Sequence, residues 1–309
     1  MVLQYKQSLS GLLPGQIMAE KEHKRMANRA EPSLRNISDT ALWVAVHRAR
    51  ETERPNALFR DPFARKLAGE RGERIAREMH AGVPYEWPYI ARTVRFDQIV
   101  SDQVTQGADM VINLAAGLDT RPYRMELPAS LKWVEVDLPG MIDYKEEVLS
   151  SEKPQCALER VRLDLTDLTA RRALFQRLGS SSKRTLVITE GLLVYLTREE
   201  VTQLGRDLSA QPSFHDWTID LCSPGLLKML RDNLSALEKA GSPLKFGPEE
   251  GPEFFLASGW KSAEVYSMLK TAAKLKRLPF GLRLVALLPE SNGRQGSRPW
   301  GAVCRLTRT

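Results

Sequence analysis

The 309-residue chain has little cysteine, little histidine and no long apolar run, and each shortage excludes a class of function. Cys156, Cys222 and Cys304 are its three cysteines. They lie far apart without a Cys-x-x-Cys spacing, which fits neither a zinc site nor a disulfide framework, so reduced thiols and no metal are expected. The four histidines, His23, His47, His80 and His215, form no paired acid/His motif. No run of eighteen apolar residues exists to span a bilayer. The first 29 residues scatter charges where a secretory signal needs an apolar core, so a cytoplasmic protein with no membrane partner is expected.

Nucleotide motifs are missing too. Gly-x-Gly-x-x-Gly, which seats a pyrophosphate on a helix N-terminus, is absent, as is the phosphate loop Gly-x-x-x-x-Gly-Lys-Ser/Thr. NAD, FAD and nucleoside triphosphates are therefore disfavoured. The Asn/Asp-Pro-Pro-Tyr phrase of nucleic-acid amine methylation is also absent, since the fourth strand runs into Glu190-Gly191-Leu192-Leu193. The net charge of +7 does not restore nucleic acid as a partner. Residues 270–309 carry nine Lys or Arg against Glu290, a local +8, and the remaining residues sum to −1. Such a face either steers an anionic substrate or is simply solvated.

What is present is Met110-Val-Ile-Asn-Leu-Ala-Ala-Gly-Leu-Asp-Thr-Arg121, an apolar run ending in the small residues Ala115, Ala116 and Gly117, where a ligand can approach the backbone. A second run, Trp133-Val-Glu-Val-Asp137, ends in an acid twenty residues after Gly117. In open α/β sheets that is where a ribose diol is caught. Around this pair the pattern alternates. Strands are predicted over 110–115, 132–137, 159–163, 184–189, 214–221, 282–288 and 301–306, with the last two as an antiparallel pair closing one edge. Helices are predicted over 89–106, 138–150, 167–178, 198–210 and 225–239, the fourth marked by Thr197 and Glu200 as a capping box. Ser38 reads as the N-cap of an earlier helix, and Leu58 to Phe63 as a turn into the next. The expected fold class is α/β: a Rossmann-like, mostly parallel seven-stranded sheet with an antiparallel edge, helices on both faces and an N-terminal helical addition. The expected division is a mobile leader over 1–35 and one domain over 36–309. That domain comprises a helical cap (36–106), a cofactor-binding core (107–221) and a substrate-side insertion with closing strands (222–309).

A nucleoside without phosphates remains, and S-adenosyl-L-methionine is the obvious one. It needs close backbone approach, met by Gly117, and an acid for the ribose, met by Asp137. Leu163-Asp164-Leu165 can offer contacts to adenine, and Arg92 or Arg95 a fork for the carboxylate. Asp119 and Arg121 read as an internal ion pair that shapes the turn.

Several phrases in order carry a resemblance. They are Asp39-Thr-Ala-Leu42, Leu58-Phe-Arg-Asp-Pro-Phe-Ala64, Ala91-Arg-Thr93, Asn113-Leu-Ala-Ala-Gly-Leu-Asp-Thr-Arg121, Val134-Glu-Val-Asp-Leu-Pro139, Asp164-Leu165 and Thr189-Glu-Gly-Leu-Leu-Val-Tyr-Leu196. Together they resemble the leucine carboxyl methyltransferase-like group of class I S-adenosylmethionine-dependent methyltransferases, in its bacterial O-methyltransferase branch. The resemblance implies that Arg92 holds the cofactor carboxylate, Ala115, Ala116 and Gly117 cradle its amino-acid part, and Asp137 takes the ribose. It also places Asp164 with Leu165 at the adenine and Glu190 beside the methionine portion. It implies methyl transfer to an oxygen, often the carboxylate of a polyketide-like small molecule or of a protein C-terminus. The alternative is a regulatory protein that binds the nucleoside without catalysis. A carboxylate is already ionised, so positioning matters more than a base. His47 and Tyr195 are the candidates for acting on the acceptor, each with a packed-core alternative. The turn departs from the family's Leu-Gly-x-Gly, and Ala115 is expected to tighten the pocket slightly unless its position needs positive φ.

Overall fold

The computed structural model describes residues 38–79, 86–289, 296 and 298–309. The expected leader, with His23, and also His80 lie outside the described residues.

Three helices come first: α1 (Asp39–Thr52), α2 (Ala64–Met79) and α3 (Trp87–Thr105). The alternating part follows as β1 (Met110–Leu114), the single turn α4 (Arg121–Arg124), β2 (Lys132–Asp137), α5 (Pro139–Val148), β3 (Ala157–Arg162), α6 (Leu168–Ser180) and β4 (Thr185–Thr189). It continues with α7 (Arg198–Ser209), β5 (Phe214–Cys222), α8 (Pro224–Asn233) and α9 (Ser235–Lys239). After a 3-10 segment, Gly251–Ser258, come β6 (Trp260–Ser267), α10 (Met268–Lys274), α11 (Phe280–Val285) and β7 (Gly301–Arg308). The seven strands form one sheet in the order β3-β2-β1-β4-β5-β7-β6, with β1 to β5 parallel and β7 antiparallel to both of its neighbours.

Strand periodicity explains the layers, because alternate residues face opposite sides. Met110, Ile112, Leu114, Val134, Val136 and Val187 pack on one face with Leu174 and Phe175 of α6 and Val201, Leu204 and Leu208 of α7. Val111, Trp133, Leu186 and Ile188 face the other way onto Phe96, Ile99 and Val100 of α3. Both central strands, β1 and β4, are buried at every residue, as expected where helices cover both faces. A third cluster joins Leu42, Val46, Leu67 and Ile75 of the N-terminal helices to Met141 of α5 and Leu227 of α8. That places the helical addition at the carboxyl ends of the strands.

Three expectations fail, the smallest being the single helix over 225–239, which is broken at Leu234 into α8 and α9. Residues 282–288 do not form a strand: Phe280–Val285 is helical, and the strand beside β7 is Trp260–Ser267. The apolar run Leu282 to Leu288 carries the composition of a strand, but it has no strand neighbour. The true edge strand alternates weakly because it is largely exposed. Ser38 precedes α1 but does not cap it, since its own backbone is already helical (φ −63°, ψ −25°) and its hydroxyl makes no cap bond. The capping box at Thr197 and Glu200 is present in both directions.

A buried ion pair ties α5 to β2. Lys145 Nζ of α5 donates to Glu135 Oε1 of β2 at 2.7 Å, and both side chains are fully buried. Arg160 takes the other Glu135 oxygen at 2.9 Å. Removing one partner of such a pair strands a charge in a desolvated site. Lys145→Met is therefore expected to lower unfolding free energy by about 3 kcal/mol in chemical denaturation, and a loss below about 1 kcal/mol would show the pair to be dispensable.

Candidate functional site

The parallel strands end on the same side, and the order reverses between β1 and β4, the place where open α/β sheets bind ligands. From β1 the chain enters the Ala115–Gly117 turn. Gly117 has φ +49°, and a Cβ built there would stand 3.2 Å from the Cβ of Ala41 on α1, so both conformation and close packing favour glycine. Ala115 also adopts positive φ, +53°, a strained region for an L-residue. The departure from glycine noted in the sequence thus falls on a position that does need a left-handed backbone.

Asp137, at the end of β2, holds the turn. Its Oδ2 accepts from Gly117 N–H at 2.6 Å and its Oδ1 from Leu138 N–H at 2.7 Å. Burial raises its pKa from the ordinary value against the pull of these two donors. The Asp137 carbonyl also accepts from Leu163 N–H at 2.9 Å, bringing the Leu163-Asp164-Leu165 turn alongside. Asp164 itself is exposed and folds onto its own turn, accepting from Thr166 N–H and Oγ1–H through Oδ1 at 2.9 and 2.7 Å. The Leu165 carbonyl accepts from Arg171 at 2.9 Å.

The second half of the site is a chain of alternating charge. Arg124 donates to both oxygens of Asp97, and Arg121 Nε donates to Asp97 Oδ1 at 2.7 Å. Arg121 Nη1 lies 2.8 Å from Asp119 Oδ2 and 2.9 Å from Glu190 Oε2. The other Glu190 oxygen accepts from Arg92 Nε at 3.0 Å, and Arg92 Nη1 donates to Asp220 Oδ2 at 2.9 Å. Asp220 Oδ1 then takes Gly191 N–H at 2.7 Å. Burial alone would lower the Arg92 pKa, but Asp220 and Glu190 hold it above its usual value. Arg92 Nη2 has no hydrogen-bond partner among the described residues. Burial likewise opposes the charge of Asp119, yet Arg121, Lys145 and Arg124 hold its carboxyl down to about 2.

The structure therefore brings Arg92 and Glu190 into contact, and separately the Ala115–Gly117 turn and Asp137. Arg95 points elsewhere, to Thr271 Oγ1 at 3.2 Å and onto the Tyr266 ring at 4.5 Å. Asp119 and Arg121 form the expected brace, extended by Asn113 Nδ2 donating to Asp119 at 2.7 Å. His47 is buried, its ring stacked on Tyr89 at 4.6 Å, and the Tyr89 ring lies 5.7 Å from the Arg92 guanidinium carbon. Tyr195 is half-buried, with burial pushing its phenol up while a hydrogen bond with Thr40 pulls the other way. His215 is exposed at the opposite end of β5.

Three members of the network, Asp97, Arg124 and Asp220, carry no role that the sequence alone assigns. Asp220 lies near the end of the fifth strand but is followed there by Leu221 and Cys222, so the acid-at-strand-end signal that marks Asp137 is blurred. Asp97 bears no comparable mark. All three cysteines are buried thiols, and burial pushes Cys156 up to about 11 and Cys222 to about 12.

Comparison with known proteins bears on the family and the fold. Residues 41–208 match the model of the leucine carboxyl methyltransferase family. A Frankia alni protein named "Putative S-adenosyl-L-methionine-dependent methyltransferase" is 30% identical over 263 residues, covering 81% of this chain and 91% of its own. One of the same name from Streptomyces avermitilis is 28% identical over 261 residues, covering 81% and 90%. Among solved structures, a "putative methyltransferase" of Thermobifida fusca superposes with a TM-score of 0.57 at 16% identity, over 90% of this chain and 97% of its own. That likeness is one of fold.

Two outcomes test the geometry. Gly117→Ala should destabilise by about 1–2 kcal/mol, the cost of a left-handed L-residue, whereas Ala115→Gly should be neutral or stabilising by up to about 1 kcal/mol in urea unfolding. The reverse order would mean that the turn is not strained at Ala115. The second outcome concerns Asp119, whose carboxyl is lowered from 3.8 to about 2, so its stabilisation is present above about pH 4 and lost as pH falls through 2. It is worth about 2 kcal/mol at neutral pH, of which about 1 kcal/mol should vanish between pH 5 and pH 3. The stability gap between the wild type and Asp119→Asn should narrow by that amount over this range; a constant gap would rule out the ion pair as its origin.

Proposed function

The chain belongs to the leucine carboxyl methyltransferase family, and on that premise we propose that it is an S-adenosyl-L-methionine-dependent O-methyltransferase acting on the carboxylate of a small molecule or a peptide. The observation that carries this reading is the charge at the carboxyl ends of the strands. Arg92, Arg121 and Arg124 meet Asp97, Asp119, Glu190 and Asp220, three guanidinium groups against four carboxylates, while Asp137 stands apart on backbone donors. A cofactor with one net positive charge complements that excess, whereas a pyrophosphate would oppose it.

The residues also fit the group one by one. Asp137 binds only two backbone N–H groups and so keeps acceptor capacity for a diol. Arg92 keeps Nη2 for a carboxylate while Glu190 and Asp220 fix the plane of its guanidinium. Ala115, Ala116 and Gly117 would cradle the amino-acid part, Glu190 would stand beside it, and Asp164 with Leu165 would border the base. When bound, S-adenosylmethionine supplies a methyl group on a sulfonium, already activated toward an oxygen nucleophile.

The protein's own task is then orientation. The acids of the network are paired with its guanidinium groups, so among the described residues none of them stands free beside a neutral hydroxyl. His47 is held against Tyr89 in the core of the helical addition. An acceptor that arrives ionised removes the need for a base, which favours a carboxylate over a phenol or an alcohol.

Calorimetry with S-adenosylmethionine should show binding that Asp137→Ala weakens at least tenfold, about 1.4 kcal/mol. Labelled methyl groups should then pass to members of a carboxylic-acid panel. Binding without transfer to any acceptor would favour the regulatory alternative, transfer to phenols or amines alone would overturn the carboxylate assignment, and absence of binding would sink the whole reading.

A further inference from the structure

The described residues expose ten large apolar side chains, and five of them, Phe280, Leu284, Val285, Leu287 and Leu288, fall within nine consecutive positions on and just after α11. Phe280 and Leu287 are each 80% exposed. Scattered exposed apolar residues need no special cause, but a contiguous set does. The segment is anchored to the body, because Leu278 is buried and Leu282 and Ala286 pack with it against Ala91 and Ala272. Its inner side is thus part of the fold, and among the described residues only its outer side lacks a partner.

The charge around this patch has one sign. Between Val265 and Pro289 there is no acidic residue, while Lys270, Lys274, Lys276, Arg277 and Arg283 are all basic. Arg277 is committed to Glu51 of α1 at 2.7 Å. The other four form no ion pair with any described residue, and Lys274, Lys276 and Arg283 are exposed. Lys270, Lys274, Lys276 and Arg283 thus leave this segment with a positive charge that no acid of the segment offsets, which complements an anionic surface.

We propose that the outer side of α10 and α11 is a docking surface for an anionic membrane, with Phe280, Leu284, Leu287 and Leu288 entering the headgroup layer and Lys270, Lys274, Lys276 and Arg283 meeting its negative charge. Exposed phenylalanine and leucine beside unpaired lysine is the composition of an interfacial helix, and neither residue type suffices alone. This revises the expectation of no membrane partner, which rested on the lack of a spanning segment; a helix lying on a surface needs none. A protein partner would ordinarily bring polar groups to a rim of paired donors and acceptors, whereas this rim is cationic throughout.

The test is flotation of the full chain with phosphatidylcholine vesicles, with and without roughly one-third phosphatidylglycerol, at low and high salt. The wild type should float with the anionic vesicles and not with the neutral ones, and salt should weaken the association. Leu284→Ser combined with Leu287→Ser should weaken it by about tenfold or more, and Lys274→Gln or Lys276→Gln by about fivefold each. Unchanged thermal melting would show that these exposed changes leave the fold intact. Failure to float, or equal binding to neutral vesicles, would overturn the proposal. So would a doubling of mass in light scattering that Leu284→Ser with Leu287→Ser abolishes while vesicles are ignored, which would assign the patch to a second copy of the chain. None of these readouts needs methyl transfer, so they stand apart from the test of activity.

Discussion

Like charges cannot be crowded into a desolvated space unless opposite charges are interleaved, and the carboxyl ends of the strands are built around that constraint. Arg124, Asp97, Arg121, Glu190, Arg92 and Asp220 form one alternating line, each member fixed by the next. The line crosses from α3 and α4 to the ends of β4 and β5, so helices and sheet are positioned by the same contacts. Any one of these acids alone at that depth would face the desolvation of its charge without a partner. In sequence they are spread over more than 120 residues, and the fold makes them neighbours.

The parts of this arrangement that are legible in the sequence share a property: their signal is local. Asp137 announces itself by closing an apolar run at a fixed distance from a small-residue turn, and Asp119 and Arg121 by lying two residues apart in that turn. Asp97 shows no such mark because its partners, Arg121 and Arg124, are 24 and 27 residues away. Nothing in its own helix hints at them. The choice between Arg92 and Arg95 is likewise open in sequence, since three residues on a helix separate side chains by less than one turn. Only the positions of Glu190 on one side and Tyr266 on the other part them.

The sheet shows the same division. Strands buried on both faces are readable, because a short continuous apolar run bounded by turns loses too much if either face is left in water. The edge strand Trp260–Ser267 escapes notice because only its ends are well buried, and a half-exposed edge gives little alternation. Residues 282–288 mislead for the opposite reason. Their apolar density is that of a buried strand, yet most of those side chains face outward. Apolar density points to a core only where a neighbour covers it, and here the exposure itself becomes the information.

The helical addition is more than a cover. Arg48 of α1 donates to the Leu118 carbonyl at 2.5 Å and to Asp61 Oδ2 at 2.8 Å, and Thr120 donates to that same oxygen at 2.7 Å. Asp61, which in sequence reads as a simple turn before Pro62, is a buried knot joining α1, the α2 entrance and the turn after β1. Ala41 meets the glycine turn from above, and Tyr195 is tied to Thr40. The backbone proposed to cradle the cofactor is thus held between the sheet below, through Asp137, and α1 above, through Arg48. A change in α1 that fits a different acceptor must preserve both contacts with the turn, which confines variation to side chains such as Trp43 and His47 that touch Tyr89 and not the Gly117 backbone.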